Sequence, residues 1–292
     1  MSGAVVIDKR ALRRSFDRAA RTYDAAAVLQ QEVCARSLGR LAFIKHLPQR
    51  ILDAGCGTGN AWAGLARRFP RAELIALDLA PAMLRTARSR LPWHRRWLGR
   101  LPAAVCGDLE ILPLKAGSID LVWSNLALQW VNDLPAAFRE LRRVLAPGGL
   151  LQFATFGPDT LRELRAAQPA PGRGGFSRFT DMHDIGDMLV AAGFADPVID
   201  MEPFTLTYDD VRAVMRDLKA IGAHSAAADR STALTGKAWL AALARNYEAF
   251  RRDGRLPATF EVIYGHAWTP LPRRGPGGRP VIEIRAAGGA LP

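Results

Sequence analysis

Apolar positions recur at helical spacing through the first 45 residues, and then the rhythm changes. Over 10–24, Leu12, Phe16, Ala19 and Tyr23 fall on one helix face, while Arg13, Arg14, Arg18 and Arg21 fall on the other. Residues 27–45 predict a second helix with Val28, Leu38, Leu41 and Ile44 inside. Short apolar runs follow, predicting strands at Arg50 to Asp53, Glu73 to Asp78, Ala103 to Asp108, Ile119 to Ser124 and Leu150 to Phe156. Helical patterns at 60–68, 81–90 and 134–145 lie between them. Strands alternating with helices predict an α/β fold with a doubly wound parallel sheet.

The second half is less regular. It predicts a helix at 158–166, a Pro/Gly/Arg-rich loop at 168–178, and a helix at 181–192 stopped by Gly193. A strand from Val198 to Tyr208 and another from Ala258 to Trp268 bracket helices at 209–221 and 237–251. Residues 210–256 thus read as a helical cap inserted into a strand hairpin. The organisation expected is an N-terminal helical lid (1–47), a central domain (48–268) and a basic, disordered tail (269–292).

The main chemical signal is Asp53-Ala-Gly55-Cys56-Gly57-Thr-Gly59, between a strand and a helix. A dinucleotide fingerprint is G-x-G-x-x-G. Here the spacing is G-x-G-x-G, with an acid two residues before the first glycine. An acid there repels a phosphate and attracts a cation such as the amine of an amino acid. Asp78 ends the next strand, where a carboxylate can accept from ribose hydroxyls. Asp108-Leu109 ends the third, an acceptor and an apolar surface suited to adenine. The fourth runs into Asn125-Leu-Ala-Leu-Gln129-Trp130. An adenosine, no phosphate and an amino-acid end together describe S-adenosylmethionine. Cys56, Leu79 and Met83 complete the candidate cofactor set.

Composition narrows the remaining classes. The 292 residues are 49% hydrophobic and 23% charged, a globular balance that excludes a disordered, collagen-like or coiled-coil chain. Lys+Arg is 40 and Asp+Glu 28, a net charge of +12 that points to an acidic partner, although an arginine-rich composition inflates it. The apolar run Ala4 to Ile7 is too short for a signal peptide, and no stretch reaches the roughly 18 apolar residues of a membrane span. A cytoplasmic protein away from membranes is expected, with a monomer as the default. Cys34, Cys56 and Cys106 lack C-x-x-C spacing, so neither a disulfide framework nor a zinc site is expected.

Asp53 to Gly59, Asp78, Gly107-Asp108, Asp120 to Asn125 and Pro147-Gly148-Gly149 resemble the motifs of class I S-adenosylmethionine-dependent methyltransferases. The last group resembles that family's turn before the fifth strand. The resemblance covers residues 48–208 and 258–268. It implies a seven-stranded, mostly parallel Rossmann-like sheet with one antiparallel strand. Phe16 to Asp24, Thr155 to Leu164, Phe179 to Gly186 and Asp217 to His224 resemble segments of the malonyl-acyl-carrier-protein O-methyltransferases of biotin synthesis. That likeness implies a malonyl thioester substrate, on acyl-carrier protein or coenzyme A, methylated at its free carboxylate. Residues 93–100, Ser225 in place of an expected Asn, and the basic tail depart from the pattern.

Two other enzyme readings stay open here. Asn125-x-x-x-Gln129-Trp130 is similar to methyltransferases of other small carboxylates. The mitochondrial complex I assembly factors share much of the pattern yet act as arginine hydroxylases. A non-enzymatic, nucleic-acid-binding scaffold is weaker, because no dedicated nucleic-acid motif is present.

A carboxylate acceptor, ionised at neutral pH, needs no general base. The candidate catalytic residues are therefore positioning groups. Gln129 and Trp130 lie just past the fourth strand, Trp130 equally as a plain wall. Tyr23 closes over the cofactor or packs beside Phe16. Lys219 and His224, with Arg212 and Arg216, are candidate counter-charges in the cap; His183 reads as a helix cap. Arg85, Arg88, Arg90, Arg95, Arg96 and Arg100, or Arg139, Arg142 and Arg143, are candidate docking sites for the acidic carrier.

Overall fold

Asp8 starts the first helix by accepting from the backbone N–H groups of Arg10 and Ala11. The structure, a computed structural model, describes residues 6–91, 102–169, 179–221 and 237–272. The continuous helical pattern over 10–24 resolves into two pieces, α1 (Lys9–Ala19) and α2 (Tyr23–Ala26), joined by a turn. The turn has a physical reason. Asp17 accepts from the N–H of Ala82, and Asp24 binds Thr58 and Arg90, so each piece is tied to a different part of the domain.

Helix α3 (Val28–Leu41) buries Leu29, Val33, Cys34 and Leu41. Val28, expected inside, is 60% exposed, whereas Leu41 is buried and Leu38 packs partly buried against the same cluster, as expected. Ile44 lies beyond the helix end.

The strands are β1 (Arg50–Ala54), β2 (Glu73–Asp78), β3 (Ala103–Cys106), β4 (Ile119–Asn125), β5 (Leu145–Phe156), β6 (Ala195–Tyr208) and β7 (Leu256–Trp268). They form a seven-stranded sheet in the order β3-β2-β1-β4-β5-β7-β6. Neighbours among β1 to β5 are parallel, and β7 runs antiparallel to both β5 and β6. This is the class I methyltransferase fold. The chain builds outward from β1 in one direction and resumes at β4 in the other. The crevice at the carboxyl ends of β1 and β4 is therefore the switch point where such sheets take ligands.

Helices α4 (Trp62–Arg68), α5 (Pro81–Ser89) and α6 (Leu134–Val144) follow β1, β2 and β4, the last two with a proline in the first turn. Leu121, Val122 and Trp123 are all fully buried, as a central strand covered on both faces requires.

Two expectations are corrected. Pro147-Gly148-Gly149 lies inside β5 rather than in a turn before it. Thr269 extends the pairing: its N–H donates to the Gly149 carbonyl, and its hydroxyl accepts from the Gly149 N–H. The 158–166 helix shrinks to α7 (Arg162–Ala166), because Leu161 is left-handed at φ 58° and donates its N–H to Thr259. Helix α8 (Met182–Ala191) is capped by Asp181 and stops before Gly193, at φ 87°.

The β6–β7 hairpin pairs as far as Tyr208 and Leu256. Between them lie α9 (Val211–Ala220) and α10 (Lys237–Tyr247). Tyr208 fastens α9 by donating to Asp217 at 2.6 Å. Among the described residues no helix is long and apolar enough to cross a membrane.

Two glycines give a sign test of the packing. A Cβ on Gly265 would lie 2.2 Å from the Phe153 ring, whereas one on Gly39 of α3 meets nothing within 4 Å. Gly265→Ala is expected to destabilise by about 1–3 kcal/mol. Gly39→Ala should stabilise by about 0.5–1 kcal/mol. Urea unfolding followed by circular dichroism reads both midpoints.

Candidate active site

A cavity of about 650 Å³ opens at the switch point. Its floor is the loop after β1, its sides are the ends of β2 and β4 and the turn after β3, and α1 lies over it. A second space of about 370 Å³ adjoins it and shares the walls Tyr23, Gly55, Gly57 and Asn125.

The glycine loop forms the divide. A Cβ on Gly55 would stand 2.2 Å from that of Ala127, so only glycine lets this loop meet the turn after β4. A Cβ on Gly57 would meet nothing within 4 Å, which leaves the loop backbone open to a ligand. Gly59 packs on the Trp62 ring and lines neither space.

Asp78 lines the larger cavity. One carboxylate oxygen accepts from the Gly57 N–H and the other from the Ala80 N–H, both at 2.8 Å. The second bond places the charge at the start of α5, where the helix dipole favours it. Burial nevertheless raises its pKa to about 6, the two backbone donors opposing.

Asp53 lines the smaller space and accepts from the Trp62 indole at 2.9 Å. Burial pushes its pKa up to about 7; the Trp62 bond opposes this and nearby Asp78 adds to it. Burial and Asp53 also lift the Cys34 thiol to about 12, and Cys56 is raised well above its ordinary value, chiefly by burial. Both thiols stay protonated at neutral pH.

Asn125 closes β4 and faces both spaces. Its Nδ2 donates to the Gln30 carbonyl at 3.0 Å, while its buried Oδ1 has no partner among the described residues. An unsatisfied buried acceptor between two acids suits a donor-bearing cation. Tyr23 also lines both spaces, packs beside Phe16 and Met83, and has its phenol pKa raised, mainly by burial.

Leu79, Met83 and Leu109 give the larger cavity apolar walls. Asp108 lines it too, but Lys9 of α1 reaches across to Asp108 at 3.0 Å and to Glu110 at 2.6 Å. Phe16 stacks edge-on against Trp130, with centroids 5.5 Å apart. The Ile7 backbone pairs with the Asn132 side chain.

These residues fit S-adenosylmethionine. The slot of Leu79, Met83 and Leu109 suits a flat ring. The Asp78 oxygens keep lone pairs for hydroxyl donors, and Asp53 with Asn125 Oδ1 suits an amine.

Other expected site residues stand elsewhere. Gln129 turns inward, donating to the Leu126 carbonyl at 2.7 Å and facing the Thr155 hydroxyl. Lys219, Arg212 and Arg216 are exposed on α9 and line neither space. His183 is exposed at the start of α8, beside Asp181. His224, Arg95, Arg96, Arg100, residues 93–100 and the tail beyond 272 lie outside the described residues. Arg90 is spent on Asp24, and Arg143 on Glu140 and the carbonyls of Leu112 and Leu114.

Sequence reasoning missed Lys9, Trp62, Gln30 and Cys34 as wall and support residues. Only the i, i+4 spacing of Gln30 and Cys34 on one helix face carried a signal for any of them.

A family model described as a methyltransferase domain matches residues 52–153. The malonyl-acyl-carrier protein O-methyltransferase of Gallionella capsiferriformans is 58% identical, over 95% of this chain and 97% of its own. That of Methylovorus sp. is 56% identical, over 97% of this chain and 96% of its own. Among solved structures, a Haemonchus contortus phosphoethanolamine N-methyltransferase in complex with S-adenosylhomocysteine superposes with a TM-score of 0.55 at 20% identity. It covers 91% of this chain and 61% of that one, and the likeness is of fold alone. Identity above one half across nearly the whole length settles the relationship: the chain belongs to the malonyl-acyl-carrier protein O-methyltransferase family.

Proposed function

We propose that the protein methylates the free carboxylate of a malonyl thioester on acyl-carrier protein, an early step of biotin synthesis. Family membership supports the substrate. The single structural observation that carries the reading is the pair of joined spaces, with buried Asp78 in the larger, buried Asp53 in the smaller and Asn125 facing both. Bound S-adenosylmethionine supplies the methyl group, which passes from sulfonium sulfur to a carboxylate oxygen and leaves S-adenosylhomocysteine, with no proton moved.

In this reading the chain's own residues bind, orient and exclude water. Asp53 and Asn125 Oδ1 hold the amino-acid end of the cofactor. Asp78 holds the ribose, with Gly55 and Gly57 beneath and Cys56 behind. Leu79, Met83 and Leu109 enclose the adenine. Asp108 shares its charge between Lys9 and the adenine amine. Tyr23 and Trp130 face the acceptor. Gln129 is a positioning residue that braces the turn after β4, and Gly59 seats Trp62.

Residues 1–47 act as a lid and 210–256 as a cap, whose sequence includes Lys219 and His224. The protein works in the cytoplasm as a monomer.

The direct test incubates the purified chain with methyl-labelled S-adenosylmethionine and malonyl-acyl-carrier protein or malonyl-coenzyme A. A base-labile methyl ester is expected. If none forms with either thioester, the proposal fails.

The raised pKa values fix a pH dependence of cofactor binding. Asp53 must be ionised to hold an ammonium group, and Asp78 must be ionised to offer both oxygens as acceptors to the ribose hydroxyls. Free protein protonates Asp78 below about 6 and Asp53 below about 7, so binding must expel those protons. Affinity for S-adenosylhomocysteine is therefore expected to rise from about pH 5.5 to about pH 8, then level off. Asp53→Asn should remove the upper part of the rise and weaken binding at the plateau by about tenfold or more. A flat calorimetric profile for the parent protein would sink the assignment.

A further inference from the structure

Helix α1 carries two opposed faces. At about 100° per residue, Lys9, Leu12 and Phe16 fall on one side, and Arg10, Arg14 and Arg18 on the other. The first three line the larger cavity. The second three are exposed, as are Arg13 and Arg21. Arg13 stands 3.9 Å from Asp17, but among the described residues Arg10, Arg14, Arg18 and Arg21 make no ion pair. Helix α5 packs alongside, tied to α1 through Asp17 and the Ala82 N–H, and adds the exposed Arg85 and Arg88. The acids of α1 and its cap are engaged: Asp17 with Ala82 and Arg13, Asp8 with the helix start.

Among the described residues this face thus concentrates positive charge beside the cavity, with Asp8 the acid whose charge Arg14 and Arg10 favour. The arginines of α6 do not compete. Arg143 is consumed internally, Arg142 donates to the Gly193 carbonyl, and Arg139 lies 4.0 Å from Asp133.

We infer that the outer face of α1, with Arg85 and Arg88 of α5, is the docking surface for an acidic carrier protein, and that docking holds the lid shut over the cofactor. The inference rests on the carrier-bound substrate proposed above. Single exposed charges contribute little, but a one-sign cluster steers an opposite partner and makes its association salt-dependent. One short helix bears both faces, so whatever binds the arginines restrains Leu12 and Phe16 against the cavity. Carrier and cofactor then strengthen each other's binding, reciprocally. Malonyl-coenzyme A, which brings no protein surface, gains none of this.

The test uses the full chain and the triple substitution Arg10→Glu, Arg14→Glu, Arg18→Glu. The KM for malonyl-acyl-carrier protein is expected to rise about tenfold or more, with malonyl-coenzyme A turnover changed by less than about twofold. Added malonyl-free carrier should tighten S-adenosylhomocysteine binding to the parent by about fivefold, and not to the variant. Should the charge-reversed chain fold poorly, the matching Arg→Gln triple, which keeps helix propensity, is expected to act in the same direction less strongly. Equal loss on both thioesters, or no loss with the carrier, overturns the surface. Parent cofactor affinity that ignores the carrier overturns the coupling. No methyl ester from either thioester with the parent overturns the substrate reading itself.

Discussion

Two carboxylates are buried side by side at the ends of adjacent parallel strands, and much of the domain is arranged around that cost. Asp53 is 2% exposed and Asp78 9%. Burial of unpaired acids is unfavourable and drives both pKa values up. The structure answers with donors: the Gly57 and Ala80 N–H groups for Asp78, and the Trp62 indole for Asp53. The compensation is incomplete. What remains is an electrostatic demand for a cation, which in the proposed function the cofactor's amino-acid end meets.

The N-terminal segment supplies a cation to a different acidic group at the same end of the sheet. Lys9 reaches the second acidic group, Asp108 with Glu110, from a helix remote in sequence. Asp17 caps α5, and Asp24 ties the glycine loop to Arg90. One short segment thus contacts the ends of the β1, β2 and β3 units. Charge pairing holds it in place along with apolar packing, of Ile7, Leu12 and Phe16 with Leu79 and Trp130, and of Ala20, Phe16 and Tyr23 with Ala80 and Met83.

The far half of the sheet supplies rigidity. Strand β7 pairs with β6 over nearly its whole length and with β5 from Val262 to Trp268. Buried Glu163 joins α7 to β7 through the Thr259 N–H and hydroxyl. Helices α9 and α10 lie between the two strands of the β6–β7 hairpin in sequence and pack into one apolar cluster with β7 through Val211, Val214, Leu218, Leu243 and Tyr247. Arg36 and Arg40 of α3 lie over Phe204 and Tyr264 and pair with Glu202 and Asp200, tying the N-terminal segment to the same hairpin.

Local rules made the strands, their alternation with helices, the G-x-G-x-G loop and the acids at strand ends legible from the chain alone. Each follows from spacing of a few residues: period-two or unbroken apolar runs, glycine where backbone must approach a ligand, an acid where a cation is held. Family likeness added the count of seven strands with one antiparallel, and the substrate class; the order of the strands came with the structure. Tertiary structure decided the rest. It broke the 10–24 pattern after Ala19, because Asp17 and Asp24 bind different parts of the domain. It drew the Pro147-Gly148-Gly149 turn into β5 through Thr269, 120 residues away from Gly149. It turned Gln129 away from the cavity and brought Lys9 to Asp108, 99 residues distant. Side-chain partners across such separations leave no periodic trace in sequence, since they depend on where the sheet carries each residue rather than on its neighbours in the chain.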